Sequence, residues 1–433
     1  MNCSSWKEYT IGESCSLLTG FAFKSKEYLE KGKYKVVRGD NVKTGFIYWE
    51  EKSRFWNEIN EKLEKYILNV EDIVIGMDGS RVGRNRAIIQ EKDLPALLAQ
   101  RVACIRANNK LFDQAYIKYI IMSSNFEKYV EAIKTGTSIP HISLKQIAEF
   151  KFNAPKLEEQ IKISSILSSL DKKIELNNEM NKTLEEMAQT LFKRWFIDFE
   201  FPNENGEPYK SSDGEIVESE LGMIPKGWRI DKIANIVDVT DYVANGSFAS
   251  LKQNVTYSEK EDFAILIRLV DYNRNFNGPF TYVDKKGYEF LSKSKLFGGE
   301  VVISNVGANA GTVFKVPNLE KPMTLGPNSI MLIPNIYKNY LYLLFTSSIG
   351  QESLKSILSG SAQPKFNKTE FRNLRCIVPS IDIVEKFNNI IVSTMEIMED
   401  SRGENDSLIE LRDSLLPKLM SGEVRVEDVE ANL

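Results

Sequence analysis

The chain has 433 residues, of which 42% are hydrophobic and 27% charged, and its formal net charge is −4. This length allows two or three domains with cores of their own, and no stretch approaches the roughly 18 consecutive apolar residues that a membrane span needs. The single histidine, His141, excludes a multi-histidine metal site and is the one base that a Ser–His or Cys–His mechanism could use.

The cysteines and the start of the chain indicate a cytoplasmic protein. Four cysteines lie far apart with no CxxC pair, which is typical of reduced thiols and not of a disulfide framework or a zinc site. The segment Met1–Thr10 has no basic stretch leading into an apolar run, so we expect no signal peptide.

In chain order, short apolar runs punctuated by glycine and asparagine predict strands, and each group of strands is followed by a helical pattern. The predicted strands are Ile73–Gly76, Val102–Arg106, Val301–Ser304 and Ile330–Ile333, and the helical patterns are Gln114–Thr135 and Asn339–Leu358. Each group predicts a globule of the α+β class. Leu157–Phe199, without proline or glycine, predicts a long helix after the first globule.

The chain repeats itself at a nearly constant offset. At an offset of 224, Gly136, Pro140 and Pro155 find counterparts in Gly360, Pro364 and Pro379. At an offset of 228, Glu71–Gly83 matches Gly299–Gly311, and Gln100 meets Asn328. The outer matches are Arg38 with Arg268 and, roughly, Trp6 with Trp228. Ordered blocks of this kind indicate two copies of one unit.

Two helical seams follow the globules. The first copy places these residues at heptad spacing: Ile163, Leu170, Asn177, Leu184 and Leu191, with Leu167, Ile174, Asn181, Ala188 and Trp195. The second copy has Phe387, Thr394, Ser401, Leu408 and Leu415, with Ile391, Met398, Asn405, Arg412 and Leu419. Because Gly403 and Pro417 lie in the second seam, we expect a kink or break there.

The polar residues at the centre of each seam suggest how the helices pair. Antiparallel packing sets Asn177 against Asn405 and Asn181 against Ser401, fixing the register at some cost in stability, whereas parallel packing pairs Asn177 with Ser401. The alternative is two ordinary amphipathic helices, each packed on its own globule. A seam of about 33 residues spans roughly 50 Å, so an antiparallel pair would place the globules at opposite ends, far enough apart to reach sites about one DNA turn apart.

Charge is distributed unevenly. Residues 1–155 hold 24 lysines and arginines against 19 acidic residues, and residues 228–379 hold 18 against 13, so each globule has a net charge of +5. The helices, the connector between the copies and the tail are acidic. Basic globules beside acidic helices fit contact with phosphates.

Two loops carry the candidate contacts with nucleic acid. The first contains arginines among glycines, and arginine can fork onto a phosphate or onto guanine. The second copy has asparagine there, which pairs with adenine, so we expect it to read a different sequence. The alternative is a structural glycine turn with solvated side chains, and for His141 a surface or packing role. The candidates are Arg38, Ser80, Arg81, Arg84, Asn85, Arg86, Gln100, Arg101, Thr137, Ser138 and His141 in the first copy, and Arg268, Asn305, Asn309, Asn328, Gln363, Lys365 and Asn367 in the second.

Several catalytic motifs are missing from the sequence. There is no N/D-P-P-Y/F loop of an amino-group methyltransferase and no G-x-x-x-x-G-K-[ST] run of a nucleotide-driven motor, and we find no nuclease cluster. The sequence therefore predicts a non-catalytic chain. Two rival hypotheses are the recognition end of a combined methyltransferase–nuclease and a coiled-coil DNA binder that works alone.

Four segments resemble one family. Leu191–Pro202 (LFKRWFIDFEFP) with Gly222–Ile230 (GMIPKGWRI), Pro155–Leu167 (PKLEEQIKISSIL) and Leu411–Val426 (LRDSLLPKLMSGEVRV) are similar to the conserved regions of type I restriction–modification specificity subunits. The resemblance covers the whole chain. It implies target-recognition domains at 1–155 and 228–379, spacer helices at 156–201 and 380–421, a connector at 202–227 and a tail at 422–433.

The resemblance also implies a division of labour. Each domain would read one half of a bipartite site on double-stranded DNA, and the antiparallel, pseudo-two-fold helix pair would set the gap. Two methyltransferase (modification) subunits would dock on the chain and methylate adenine, and restriction subunits would translocate and cleave. S-adenosylmethionine, ATP and magnesium would then belong to these partners and not to this chain.

Overall fold

The computed structural model describes residues 6–49, 53–136, 139–360 and 362–430. It divides into two compact units: unit 1 comprises Met1–Glu175 and Ser407–Leu433, and unit 2 comprises Leu176–Asp406. Both boundaries fall within long helices, so each long helix contributes residues to both units. Within these described ranges, no helix is long and apolar enough to cross a membrane.

The elements of the first copy alternate short strands and short helices before one long helix. They are β1 (Lys7–Thr10), α1 (Ile11–Ser14), β2 (Cys15–Thr19), β3 (Tyr34–Val37), β4 (Phe55–Trp56), α2 (Glu61–Glu64), β5 (Ile73–Gly76), β6 (Arg86–Ile88), β7 (Ala96–Leu98), β8 (Val102–Ala107), α3 (Gln114–Met122), α4 (Ser124–Ile133), α5 (Leu144–Ala148), β9 (Lys151–Ala154) and α6 (Leu157–Phe192). A π-helical turn, Lys193–Ile197, ends α6.

The second copy follows the same plan after an added hairpin. Its elements are β10 (Ile216–Ser219), β11 (Gly222–Pro225), β12 (Arg229–Lys232), β13 (Val239–Asp241), α7 (Phe248–Asn254), β14 (Tyr257–Ser258), β15 (Ala264–Ile267), α8 (Leu269–Tyr272), β16 (Tyr282–Val283), α9 (Lys285–Phe290), β17 (Lys295–Leu296), β18 (Val301–Ser304), β19 (Val313–Lys315), β20 (Met323–Leu325), β21 (Ser329–Leu332), α10 (Lys338–Thr346), α11 (Ser348–Ser356), α12 (Lys368–Asn373), β22 (Arg375–Val378), α13 (Ile381–Ser421) and α14 (Val426–Glu430).

The strand pairing confirms the internal repeat. Unit 1 contains a sheet of order β2-β8-β5-β6, and unit 2 contains one of order β13-β21-β18-β19. A parallel pair, β3 with β7, has its counterpart in β15 with β20. The first and last strands of each copy also pair, β1 with β9 and β12 with β22, both antiparallel.

The central strand of each sheet is apolar along its whole length because both of its faces are covered. In β5, Ile73 and Ile75 pack in the core with α3 and α4, whereas Val74 faces a second core formed with β3 and β7. In β18, Val301 and Ile303 face one core and Val302 faces another. Successive side chains of a strand point to opposite faces, so an uninterrupted apolar run is what this double burial requires.

Gln114–Thr135 and Asn339–Leu358, the two shorter helical patterns of the sequence, are each two helices in the structure. The breaks fall at Ser123 and Ser347, where the serine hydroxyl accepts a hydrogen bond from the backbone N–H of Phe126 (3.2 Å) or Gly350 (3.3 Å). A serine that caps a new helix competes with continuation of the old one, and hydrophobic spacing alone does not reveal this competition.

The two long helices run antiparallel in both units, as the sequence predicted. In unit 2, Asn177 contacts Asn405 while Trp195 contacts Phe387, so the residue number rises on one helix as it falls on the other. In unit 1, Asp171 on α6 accepts from Arg412 on α13 at 3.2 Å. Nearer the start of α6, Ile163 and Leu167 share a core with Leu419.

The sequence predicted a kink or break in the second seam, and a break does not occur. The helix α13 runs unbroken from Ile381 to Ser421, through Gly403 and Pro417. Pro417 lies in the penultimate turn, and its missing N–H removes a single hydrogen bond of the helix. Leu419, just beyond Pro417, is fully buried, so tertiary packing outweighs the helix-breaking preference of this proline.

The centre of the seam in unit 2 is polar and buried. The side chain of Asn177 is 1% exposed, and its Nδ2 donates to Asn405 Oδ1 at 2.9 Å and to Glu404 Oε2 at 2.7 Å. Asn405 in turn donates to Asn178 Oδ1 at 3.0 Å. Ser401 is also buried. Buried amides need partners, so the register that brings them together is favoured over registers that leave them unpaired.

We predict that Asn177→Ala lowers the free energy of unfolding by about 1–3 kcal/mol, because the Asn405 amide loses a buried hydrogen-bond partner. Replacing both asparagines with leucine should cost less than the two single changes together, since an apolar pair leaves no unpaired amide. Urea unfolding in a double-mutant cycle measures both effects. The matched control is Lys182→Ala on the exposed side of α6, which should change stability by less than about 0.5 kcal/mol. A seam variant no worse than this control would contradict the prediction.

Candidate functional site

The two loops that the sequence singled out meet in each unit, although about 60 residues separate them. In unit 1, the backbone N–H of Gly79 donates to Pro140 O at 3.0 Å, and Asp78 forms a β-bridge with His141. In unit 2, Gly307 donates to Pro364 O at 2.9 Å, and Val306 forms the matching bridge with Lys365. Each unit therefore presents one composite surface built from both loops.

Glycine is required at the start of the second loop in both copies. Gly136 has φ +92 and Gly360 has φ +86, in the left-handed region that favours glycine. A Cβ atom would also lie 2.6 Å from Ile139 O in the first copy and 2.9 Å from Gln363 O in the second. The repeat thus preserves these glycines for steric reasons. Thr137 and Ser138, also predicted as contacts in this loop, lie outside the described residues.

Two further segments complete the surface. In unit 1, the turn between β7 and β8 brings Arg101 Nη1 to 2.9 Å from Asp78 Oδ2, which connects this turn to the glycine loop. The residues after β3 approach from the other side, so that Arg38 and Arg101 line one cavity of about 220 Å³ with Tyr28. Arg38 lies over the Tyr28 ring at 5.5 Å and pairs with Asp40 at 3.1 Å.

The same segments meet in unit 2. Asn305, in the glycine loop, donates its backbone N–H to Asn328 O at 3.0 Å, just as Met77 donates to Arg101 O at 2.9 Å in unit 1. The segment after β15 contributes Arg268, whose guanidinium pairs with Asp271 at 3.3 Å. Sequence reasoning matched Gln100 with Asn328, and this is wrong by one residue.

Most predicted contact residues lie on these surfaces with exposed side chains. The exposed candidates are Ser80, Arg81, Arg84, Gln100, Arg101 and His141 in unit 1, and Asn309, Asn328, Gln363, Lys365 and Asn367 in unit 2. Arg38, Asn85, Arg268 and Asn305 are partly buried. Sequence reasoning missed Asp78, although its position before Gly79, among arginines, was a usable signal.

Two candidates have structural roles in their local folds. Arg86 is 4% exposed, and its Nη1 donates to the carbonyl oxygens of Ile121 (2.8 Å) and Ser123 (3.2 Å). Burial lowers the pKa of Arg86, and Glu127, paired with it at 3.3 Å, partly opposes that shift. This guanidinium joins β6 to the junction of α3 and α4 and is not available to a ligand. Arg84 is exposed but also pairs with Glu127, at 2.9 Å.

Two asparagines of the second copy also form hydrogen bonds within the protein. Asn367 caps α12, accepting from Glu370 N–H at 2.9 Å. Asn305 donates its side-chain amide to Phe366 O at 3.0 Å, which joins the two loops. These bonds make Asn305 and Asn367 parts of the scaffold and leave Asn309, Asn328, Gln363 and Lys365 as the exposed polar side chains of this surface.

The site has the chemistry of recognition. Arginine, asparagine, glutamine and lysine donate to phosphates and to base edges, and side chains of these types lie on both surfaces. Across the described part of the chain, no three His, Cys, Asp or Glu side chains lie close enough together to hold a metal ion. The fold and the site define a protein with two related polar surfaces on duplicated α+β domains.

The comparison with family models identifies the class. The model described as type I restriction modification DNA specificity domain matches residues 4–186 and 225–410, most of the chain. The chain therefore belongs to this family, and it is a specificity subunit with two recognition domains.

Individual relatives agree with this family. The MjaIX specificity subunit of Methanocaldococcus jannaschii is 27% identical, over 72% of this chain and 70% of that protein. The HindI specificity subunit of Haemophilus influenzae is 24% identical, over 97% of this chain and 100% of that protein. The crystal structure of a type I restriction–modification S subunit from M. genitalium has the same fold, with a TM-score of 0.58, 16% identity and 97% of each chain covered.

We predict that arginines of one loop separate into structural and surface classes. Arg86→Ala should lower the free energy of unfolding by about 2–4 kcal/mol, because two carbonyls and Glu127 lose a buried partner. Arg81→Ala, at an exposed position, should change stability by less than about 0.5 kcal/mol and instead weaken DNA binding with a shallower salt dependence. Thermal unfolding and binding titrations at two salt concentrations measure these effects. Equal stability losses in the two variants would contradict this separation.

Proposed function

We propose that each domain of this chain reads one half of a bipartite site on double-stranded DNA. The observation that carries this proposal is a duplicated scaffold with different side chains at equivalent surface positions. Arg101 in the first copy corresponds to Asn328 in the second, and His141 corresponds to Lys365. Two copies of one scaffold with different side chains would recognise two different half-sites, because hydrogen-bond donors and acceptors of side chains distinguish the bases.

We assign the two readers to residues 1–155 and 228–379. In each, the first and last strands pair, β1 with β9 and β12 with β22, so that each segment closes on itself before its long helix begins. The net charge of +5 in each segment favours contact with phosphates, which supplies affinity and orientation without sequence information.

We assign the helices, residues 156–201 and 380–421, to spacing and docking. Their antiparallel seam would set the unspecified gap between the half-sites. In unit 2, exposed apolar residues follow one side of α6, at Leu176, Met180 and Met187, and others lie on α13, at Ile390 and Ile397. Apolar residues exposed along a helix favour a protein partner. The partners we propose are two methyltransferase subunits, joined by restriction subunits in the complete enzyme.

We propose that the chain itself is non-catalytic. The partners would bind S-adenosylmethionine, ATP and magnesium, while this chain selects the DNA. We also propose a cytoplasmic location, where cysteines stay reduced. Cys15, Cys104 and Cys376 are buried free thiols, and burial raises the pKa of each to about 12, which keeps them protonated and unreactive.

The experiment is co-expression with the methyltransferase subunit in a host free of adenine methylation, followed by mapping of methylated adenines. We expect a split motif, two short specified blocks around a fixed gap. Exchange of residues 228–379 for the same region of a relative should change one block and leave the other and the gap unchanged. The matched control exchanges residues 1–155, which should change the opposite block. A continuous motif, or a change in both blocks after one exchange, would refute the two-reader proposal.

A further inference from the structure

The turn from β7 to β8 in the first copy, and the turn from β20 to β21 in the second, each hold a residue in the left-handed conformation. Arg101 has φ +66 and Asn328 has φ +68. In the second copy the turn is Gly326-Pro327-Asn328-Ser329, and proline followed by asparagine is a favourable pair for this geometry. In the first copy the turn is Ala99-Gln100-Arg101-Val102, which has neither preferred residue. A long side chain in this conformation is uncommon, and glycine would adopt it at less cost.

Asp78 holds the Arg101 side chain in place. Arg101 Nη1 lies 2.9 Å from Asp78 Oδ2, while the Arg101 side chain remains 66% exposed. In the second copy, the position of Asp78 is taken by Val306, because both form the β-bridge with the second loop. The copy with arginine at the turn has an acidic residue at this position, and the copy with asparagine at the turn has valine. An exposed ion pair contributes little to stability, so stability alone does not account for this pairing.

We propose that Arg101 reads a guanine in the first half-site and that Asn328, at the same turn, reads an adenine in the second. The backbone of the turn then positions the side chain, and the type of side chain determines which base is recognised. Arginine can bond to guanine O6 and N7 and asparagine to adenine N6 and N7, each with two hydrogen bonds. Asp78 is a positioning residue that orients the guanidinium. The inference rests on the proposed function of the chain as a two-part DNA reader.

The test compares glycine variants at two left-handed positions. Arg101→Gly removes the reader, and the control Glu71→Gly removes an exposed side chain with φ +70 from a different turn of the same unit. Because glycine favours this backbone conformation, neither change should lower the thermal unfolding midpoint. When both variants keep the wild-type unfolding midpoint, a loss of DNA selectivity in Arg101→Gly is not caused by misfolding.

Methylation mapping of the co-expressed modification complex measures the base preference at each position of the motif. We expect the wild-type complex to require guanine at one position of one block, and Arg101→Gly to reduce that preference about tenfold to a hundredfold at that position alone. Arg101→Asn should shift the preference there towards adenine, and Asn328→Arg should shift one position of the other block towards guanine. Glu71→Gly should keep the wild-type motif.

Three results would overturn the inference. An unchanged motif in Arg101→Gly and Arg101→Asn, with methylation at the wild-type level, would mean that Arg101 reads no base. A uniform fall in methylation across all sites would make it a phosphate contact. A wild-type motif without guanine in one block would also exclude the assignment. Failure of the wild-type complex to yield a split motif is a separate result, which would refute the proposed function and this inference with it.

Discussion

The seam between the two long helices buries amide groups at its centre, and we propose that these groups fix the antiparallel register. Asn177 and Asn405 are each at least 94% buried, and they satisfy each other with a hydrogen bond of 2.9 Å. Sliding one helix by a turn would leave both amides without this partner inside the protein, at a cost of about 1–3 kcal/mol for each unpaired group. Apolar residues in the same places would pack in several registers with similar energies. We propose that the asparagines contribute specificity of alignment more than stability.

The duplicated domains combine a constant scaffold with variable surface residues. The order of the four-stranded sheet, the glycine at the start of the second loop and the left-handed turn recur in both copies, and so does the bond between the first loop and that turn. Some polar side chains form hydrogen bonds inside the scaffold. Arg86, for example, connects β6 to the junction of α3 and α4. Other positions, such as Arg101 and Asn328, are fixed in backbone conformation but open at the side chain. We propose that such positions let a protein with two recognition domains change the side chains that contact DNA without changing its core.

Much of the fold could be predicted from the sequence because the relevant signals are local. The apolar runs Ile73–Gly76 and Val301–Ser304 are strands with those same ends. Heptad spacing, together with the polar residues at its centre, predicted both long helices and their antiparallel direction. The failures have tertiary causes: Ser123 and Ser347 cap new helices where spacing predicted continuous ones, and packing at the end of α13 keeps Pro417 within a helix.

The candidate site was predictable only in part. The sequence located both loops, because glycine and arginine cluster there and because the repeat aligns them. The sequence could not show that the Arg86 side chain points inward. Its burial depends on α3 and α4, which come later in the chain and pack against β6. Nor could the sequence align Arg101 with Asn328, because the offset between copies changes by one residue before this turn. Backbone conformation and the bond from the glycine loop supplied that equivalence.

We propose that the seam sets the spacing between two independent DNA readers, and a paired insertion tests this role most directly. Seven residues would be inserted into each helix, between Met180 and Asn181 and between Ser401 and Arg402, which keeps the antiparallel register and the apolar face. The insertion adds about 10 Å, the rise of about three base pairs. Methylation mapping of the complex should then show a gap longer by about three base pairs between unchanged half-sites. An active complex whose gap remains unchanged would contradict the account.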